Sequence, residues 1–161
     1  VFNGLKDGFS ENHTMKALVL YHSQQYGNTG KMAEAVAEGL KEAGLQVVMF
    51  NTNEDRLDIT TFPHYKVAAV GTPDYFSYVA GGIKTFMDDW YIHRNEEGMT
   101  GKPLALFYSH GGGGRVREPL VNLLKRVGTV IGDPVESSGA PSDAVLKKCR
   151  ELGRRLAEAA K

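Results

Sequence analysis

Three short stretches of this 161-residue chain gather side chains suited to holding a ligand rather than filling a core. The first, residues 22–29, reads His22, Ser23, Gln24, Gln25, Tyr26, Gly27, Asn28, Thr29 and precedes a helical pattern. It supplies hydroxyls, amides, one glycine and backbone N–H groups at a helix N-terminus. That suits an anionic phosphate ester, which the N–H donors and the helix dipole stabilise. No Lys or Arg lies inside the stretch; Lys31 follows at its edge. A polar turn capped by Asn28 or Thr29 would have the same composition, so composition alone leaves both readings open. The second stretch, Thr72, Pro73, Asp74, Tyr75, Phe76, Ser77, Tyr78, sets three aromatic residues in a loop bounded by Pro73 and by Gly81-Gly82. Aromatics gain most from burial, so a flat ring ligand would give them a surface to stack on; a local cluster is the alternative. The third, Ser109, His110, Gly111, Gly112, Gly113, Gly114, carries four consecutive glycines. Such a run is entropically costly but lets backbone N–H groups approach a ligand closely. A flexible hinge, with His110 simply solvated, is the competing reading.

Other chemistries are poorly served. A Walker A loop needs Gly, four residues, then Gly-Lys-Ser/Thr; here Gly30-Lys31 is followed by Met32, and Gln25 stands where the first glycine belongs. No Gly-x-Gly-x-x-Gly follows the first strand pattern, and the third stretch does not complete one at Val116. The first strand ends in no acidic cluster, and His13, His64 and His93 lack metal-ligand spacing. The single cysteine, Cys149, excludes an internal disulfide and a multi-cysteine cluster, and its place in an apolar stripe reads as structural. One cysteine also fits a reducing, cytoplasmic setting.

The elements that must position these stretches follow from periodicity. Apolar runs at 17–21, 47–50, 66–71 and 103–108, with a weak one within 129–135, read as strands buried on both faces. Between them lie helical patterns at 29–43, with Met32, Val36 and Leu40 inward and Gly44 as C-cap, and at 82–91, with Ile83, Phe86, Met87 and Trp90 inward. Further helices are marked by Val116, Leu120, Leu123, Leu124 and Val127, and by residues 143–160 with Val145, Cys149, Leu152 and Leu156 inward. Only a short helical turn is expected at 58–62. Strict β–α alternation predicts an α/β fold with right-handed crossovers, a doubly wound five-stranded parallel sheet of order 2-1-3-4-5 and helices on both faces. Ligands of such sheets bind beyond the strand carboxyl ends at the switch point, where all three stretches emerge. Residues 1–14 show no periodicity and read as a loosely attached, disordered arm ahead of one domain at 15–161, with Met15 as the functional start. Nineteen basic against nineteen acidic residues favour neither a nucleic-acid nor a membrane partner, and no apolar run is long enough to span a bilayer. A homodimer is the common assembly for such folds.

With the three stretches in order, the chain from Lys16 onward resembles the flavodoxin superfamily. The nearer likeness is to its short branch that includes NAD(P)H:quinone oxidoreductases of the tryptophan-repressor-binding-protein type. The resemblance rests on Leu20-Tyr21-His22-Ser23 through Gly27-Asn28-Thr29-Gly30-Lys31-Met32-Ala33, on Gly71-Thr72-Pro73-Asp74-Tyr75-Phe76 with Gly81-Gly82-Ile83-Lys84-Thr85-Phe86-Met87-Asp88, and on residues 109–114. It implies an FMN cofactor whose phosphate lies on Ser23, Gln25, Tyr26, Gly27, Asn28 and Thr29. It implies ring contacts from Thr72, Pro73, Asp74, Tyr75 and Phe76, and pyrimidine-edge contacts from Ser109, His110, Gly111, Gly112 and Gly113. No residue is expected to act as a covalent catalyst. The implied activity is electron transfer, either as a carrier docking with a redox protein or as an oxidoreductase using NAD(P)H and a quinone-like acceptor. A flavin-free interaction module is the alternative. Asp74, if aimed at the ring, would disfavour the reduced anion. Two departures stand out: electron-carrier flavodoxins are acidic where this chain is neutral, and the late-strand histidine of the quinone reductases has no counterpart between Thr129 and Asp143.

Overall fold

A computed structural model describes residues 14–161; the expected arm at 1–14 lies outside the described residues but for Thr14. Six strands and four α-helices alternate: β1 (Lys16–Tyr21), α1 (Asn28–Glu42), β2 (Gln46–Asn51), β3 (Val67–Pro73), α2 (Gly81–His93), β4 (Pro103–His110), α3 (Arg117–Val127), β5 (Thr129–Val130), β6 (Val135–Ser138) and α4 (Asp143–Ala159). A 3-10 helix at Ile59–His64, capped by the Asp58 carboxylate on Thr60 N–H, takes the place of the short turn expected at 58–62. All strands pair in parallel in the order β2-β1-β3-β4-β5, with β6 also on β4. The expected order therefore holds. The single weak fifth strand does not: it splits into β5 and β6, each paired with a different half of β4. The split falls at Gly132, with φ +61°, and Pro134, which has no N–H to give a ladder.

The period of two along each strand sorts the core onto the two faces of the sheet. Leu18, Leu20, Ala68, Val70, Leu104, Leu106 and Tyr108 face α2 and α3; Ala17, Val19, Val67, Ala69, Ala105 and Phe107 face α1 and α4. Close approach decides three glycines. A Cβ on Gly71 would lie 2.0 Å from the ring of Phe107, its direct partner on β4. On the α1/α4 side, Gly39 and Gly153 meet reciprocally: a Cβ on the first would lie 2.0 Å from Arg150 O, and on the second 2.2 Å from Val36 O. That contact brings the backbones of α1 and α4 together. At the opposite end of the sheet from the candidate ligand stretches, Lys102 donates Nζ to the carbonyls of Phe62 (2.5 Å) and Tyr65 (2.7 Å) over the Phe62 ring. Burial there lowers its pKa to about 8. No helix among the described residues is long and apolar enough to cross a membrane.

Candidate functional site

The first stretch is shaped by a backbone device. Gly27 occupies the N-cap position of α1 in the left-handed conformation (φ 73°, ψ 12°), and no side chain caps the helix there. The capping role considered for Asn28 or Thr29 is thus not observed. Gly30 N–H donates to Ser23 Oγ (3.1 Å) and Lys31 N–H to Gly27 O (3.0 Å). The N–H groups of Asn28 and Thr29 meet no protein acceptor among the described residues. Two unpaired donors at the positive end of a fifteen-residue helix form a seat for an anion. Thr29 is buried, and its hydroxyl bonds Ser109 Oγ at 2.8 Å, joining the first stretch to the end of β4.

Asn51, at the end of β2, fixes the mouth of this loop. Its Oδ1 accepts from Ser23 N–H (3.0 Å) and Asn53 N–H (3.1 Å), while its Nδ2 donates to Ser23 O (3.0 Å). His22 is buried between Thr52 Oγ1 (2.9 Å) and Gln24 Oε1 (3.1 Å), with its ring edge-on to Tyr75. Asn51 is not among the residues expected at the site. Its signal was a lone amide ending a strand beside the one that carries the loop.

In the second stretch, β3 runs on through Thr72 and Pro73. Thr72 is fully buried; its hydroxyl donates to Pro73 O (2.7 Å) and accepts from Ala80 N–H (3.0 Å), clamping the start of α2 to the strand end. Asp74 takes Ser109 O through its own N–H (2.9 Å), and its carboxylate accepts from Val116 N–H (3.2 Å) ahead of α3. Tyr75 and Tyr78 exchange both backbone hydrogen bonds at 3.1 Å around Phe76 and Ser77, whose φ values are 58° and 59°. Two left-handed corners make a type I′ turn, a geometry that favours Asn-Gly. Phe76 projects fully into solvent at its tip.

In the third stretch, Ser109 and His110 are not loop residues: they complete β4, paired with Ser137 and Ser138 of β6. His110 Nε2 lies 2.5 Å from Glu136 Oε1, and its side chain is 7% exposed. An ionised carboxylate only accepts, so Nε2 is the donor in this hydrogen bond. Nδ1 is the one buried side-chain polar atom among the described residues without a partner. Below it, burial raises the Tyr108 phenol above its ordinary pKa. Gly114, with φ +61°, lies over the pair; a Cβ there would stand 2.7 Å from Glu136 Oε1. The glycine loop is therefore seated on the His110–Glu136 hydrogen bond, which it must be side-chain-free to cover.

Together these elements enclose a cleft of about 220 Å³ at the strand carboxyl ends. It brings together Ser23, Gln25, Tyr26, Gly27, Asn28 and Thr29 with Pro73, Asp74, Tyr75, Ser109, His110 and Gly111. Four residues expected at the site do not line it: Thr72 lies beneath, Phe76 points outward, and Gly112 and Gly113 stand off in solvent. Gln24 and Gly139 line it in addition. Gly139, with φ +71°, is held there by its N–H on His110 O at 2.7 Å, so a fourth loop, between β6 and α4, closes the cleft. No Lys or Arg is among the lining residues. The donor set is thus backbone amides and hydroxyls at one end, with Tyr75 and polar backbone at the other. It fits a phosphate monoester joined to a flat polar ring, which is the form of FMN, and the cleft is shallow for a ligand of that size.

The comparisons with known proteins bear on the family and the fold. The family model described as Flavodoxin matches residues 19–153. The flavodoxin of Aquifex aeolicus is 32% identical, covering 89% of this chain and 85% of that protein. An NAD(P)H dehydrogenase (quinone) of Methylocella silvestris is 30% identical, covering 90% and 96%. A solved flavodoxin from the domain Archaea superposes with a TM-score of 0.77 at 26% identity, covering 91% of this chain and 99% of that one. Against longer curated relatives the chain spans only 37% or 24% of their length. On the matched family model and on relatives covered nearly end to end, the chain belongs to the flavodoxin family.

Proposed function

We propose that this protein holds FMN, the cofactor its family implies, in the strand-end cleft and transfers electrons through the ring edge that the cleft leaves uncovered. The observation that carries this reading is the convergence of Asn28 and Thr29, whose N–H groups are unpaired, with Tyr75 and His110 on one cleft. When bound, the flavin supplies one- and two-electron redox chemistry. The chain supplies position and polarity. Gly27, Asn28 and Thr29 seat the phosphate on amide donors; Ser23 and Asn51 hold that loop in register; Tyr75 offers a ring face; His110, held by Glu136, forms part of the wall. Asp74 contributes the nearest fixed negative charge. A volume of about 220 Å³ lies below the roughly 300–1,000 Å³ of sites that engulf their ligands, so a ring edge stays within reach of a partner.

The absorption spectrum of the purified protein, before and after adding FMN, tests the reading. A flavin spectrum with resolved, shifted bands and one-to-one stoichiometry is expected. A protein that stays colourless and does not quench FMN fluorescence would favour the flavin-free interaction module and overturn it. Two activities follow from one bound flavin: a carrier for a redox protein, or an oxidoreductase taking electrons from NAD(P)H and passing them to a quinone-like acceptor. The zero formal charge favours the second, because a carrier that finds its partner by electrostatic steering gains from a strongly charged surface. Steady-state oxidation of NADH or NADPH with a quinone acceptor separates the two; no turnover in FMN-loaded protein would leave the carrier.

A further inference from the structure

Apart from the strand-end cleft, a groove of about 700 Å³ lies between α2 and α3. Helical spacing builds its two walls. Lys84, Met87, Asp88 and Tyr91 recur on one face of α2, and Pro119, Asn122, Leu123 and Arg126 on one face of α3. Trp90, whose Nε1 donates to Met99 O at 2.8 Å, borders the floor with Met87 and Leu123. Tyr91 is 56% exposed, with one ring face covered by the Arg94 guanidinium at 3.9 Å. Five charged side chains face the groove. Lys84 and Asp88 neutralise each other at 2.5 Å. Glu118, Arg115 and Arg126 remain, a net charge of +1. Among the described residues, Arg115 and Arg126 form no ion pair or side-chain hydrogen bond.

The groove adjoins the cleft through the same two loops. Tyr75 lines the cleft and Ser77–Tyr78 line the groove; Gly111 lines the cleft and Arg115 lines the groove. The strained Phe76–Ser77 corner stands between them.

We infer that this groove is a second ligand site, for a flat aromatic molecule bearing phosphate, sulfonate or carboxylate groups. The aromatic body would lie against Met87, Trp90, Tyr91 and Leu123, and the anion would pair with Arg115 or Arg126, whose guanidinium forks match such groups. The size lies within the usual range of small-molecule sites. The purpose of such a ligand, to exchange electrons with a neighbouring flavin, rests on the function proposed above; its binding does not. Nucleotides and anionic quinones share this chemistry, and the test separates them.

Trp90 is the sole tryptophan, so its fluorescence reports occupancy directly. The protein, with and without added FMN, is titrated with ADP, adenosine and 1,2-naphthoquinone-4-sulfonate. Saturable binding of ADP or the sulfonate is expected, and the tighter of the two names the class. For ADP, uncharged adenosine should bind at least tenfold more weakly. The double variant R115Q/R126Q should weaken the preferred probe at least tenfold, while FMN titrates as in wild type and the distant exposed K147Q changes neither. No saturable response to either probe, or equal losses in R115Q/R126Q and K147Q, would overturn the inference. So would sedimentation showing a dimer whose formation alone excludes the probes, which would assign the groove to a second copy. Failure to bind FMN with groove binding intact would overturn the proposed function and leave this site standing.

Discussion

Asp74 is tied down at both ends of its short reach: its N–H is on Ser109 O, and its carboxylate is on Val116 N–H. A carboxylate fixed on the wall of the cleft opposes a growing negative charge on any ring bound there. D74N should therefore raise the FMN reduction potential. At the dielectric of a protein edge the effect is on the order of 1 kcal/mol, about 20 mV for a two-electron couple. Potentiometric titration of both proteins measures it, and an unchanged potential would show that the Asp74 charge does not reach the ring. The choice of Asp74 was legible in the sequence; its clamp on Val116 was not, because a side-chain bond across 42 residues leaves no local pattern. The same holds for Glu136, whose partnership with His110 depends on how β6 registers against β4. Cys149 shows a residue whose role its helical stripe did foretell. It is fully buried, and burial pushes its thiol pKa up to about 12 from 9. The folded state then keeps a proton that the unfolded chain loses, so stability is unaffected below about pH 9 and is eroded as pH rises from 9 to 12. In C149A that part of the alkaline loss should vanish from thermal unfolding curves. At neutral pH, native protein should resist iodoacetamide until denatured.

The hairpin corner at Phe76 and Ser77 belongs to the scale of elements, since no single contact explains it. Both residues sit at φ near +58°, a region costing roughly 1–2 kcal/mol per non-glycine residue. The turn exposes the whole Phe76 ring to water as well. Local energetics alone would select Asn-Gly here. S77G should therefore stabilise the protein by about 1 kcal/mol and raise Tm by roughly 2–4 °C for a chain of this size. A calorimetric scan that finds no gain would mean the corner is not strained as its dihedrals indicate. The aromatic character of this loop was plain in the sequence, and so was the element order. What periodicity could not give was direction. Tyr75 lines the cleft while Phe76 stands out in solvent, because Phe76 is the first corner of the turn that Tyr75 and Tyr78 close. The fifth strand was likewise visible as apolar sequence, but its division at Gly132 and Pro134 was not, because a weak run of seven residues fits one strand or two short ones equally well. Ser109 and His110 read as loop because polar residues beside four glycines end a strand pattern. Their ladder partners on β6 extend β4 past that point.

At the scale of the whole molecule, charge balance and fold speak to the same question. Nineteen cations against nineteen anions leave no net field, and the cleft lining contains neither Lys nor Arg. The phosphate seat proposed above is made of amide donors at the head of α1, whose dipoles are fixed by the helix and do not redistribute with ionic strength as mobile side-chain charges do. A site built on lysines or arginines would lose affinity steeply as salt rises; this one has only a helix terminus and short hydrogen bonds, which are screened little once water is displaced. The expectation is that FMN affinity, followed by quenching of flavin fluorescence, changes less than about threefold between 50 mM and 500 mM salt. Over the same range, binding of an anionic probe in the Arg115–Arg126 groove should weaken by more than that. Ligation should also appear as global stability, because FMN binds only the assembled loops: at a hundredfold excess over Kd the gain is about 2.7 kcal/mol, or roughly 5–11 °C in Tm. Removing one of the interlocks beneath the seat, by T29V, should shrink that thermal gain more than it lowers the Tm of the flavin-free protein, since Thr29 both lines the cleft and joins it to Ser109. If salt instead weakens FMN tenfold or more, the phosphate is held by a cation that moves in from outside the cleft, Lys31 at the head of α1 being the nearest in sequence, and K31Q would then carry the loss.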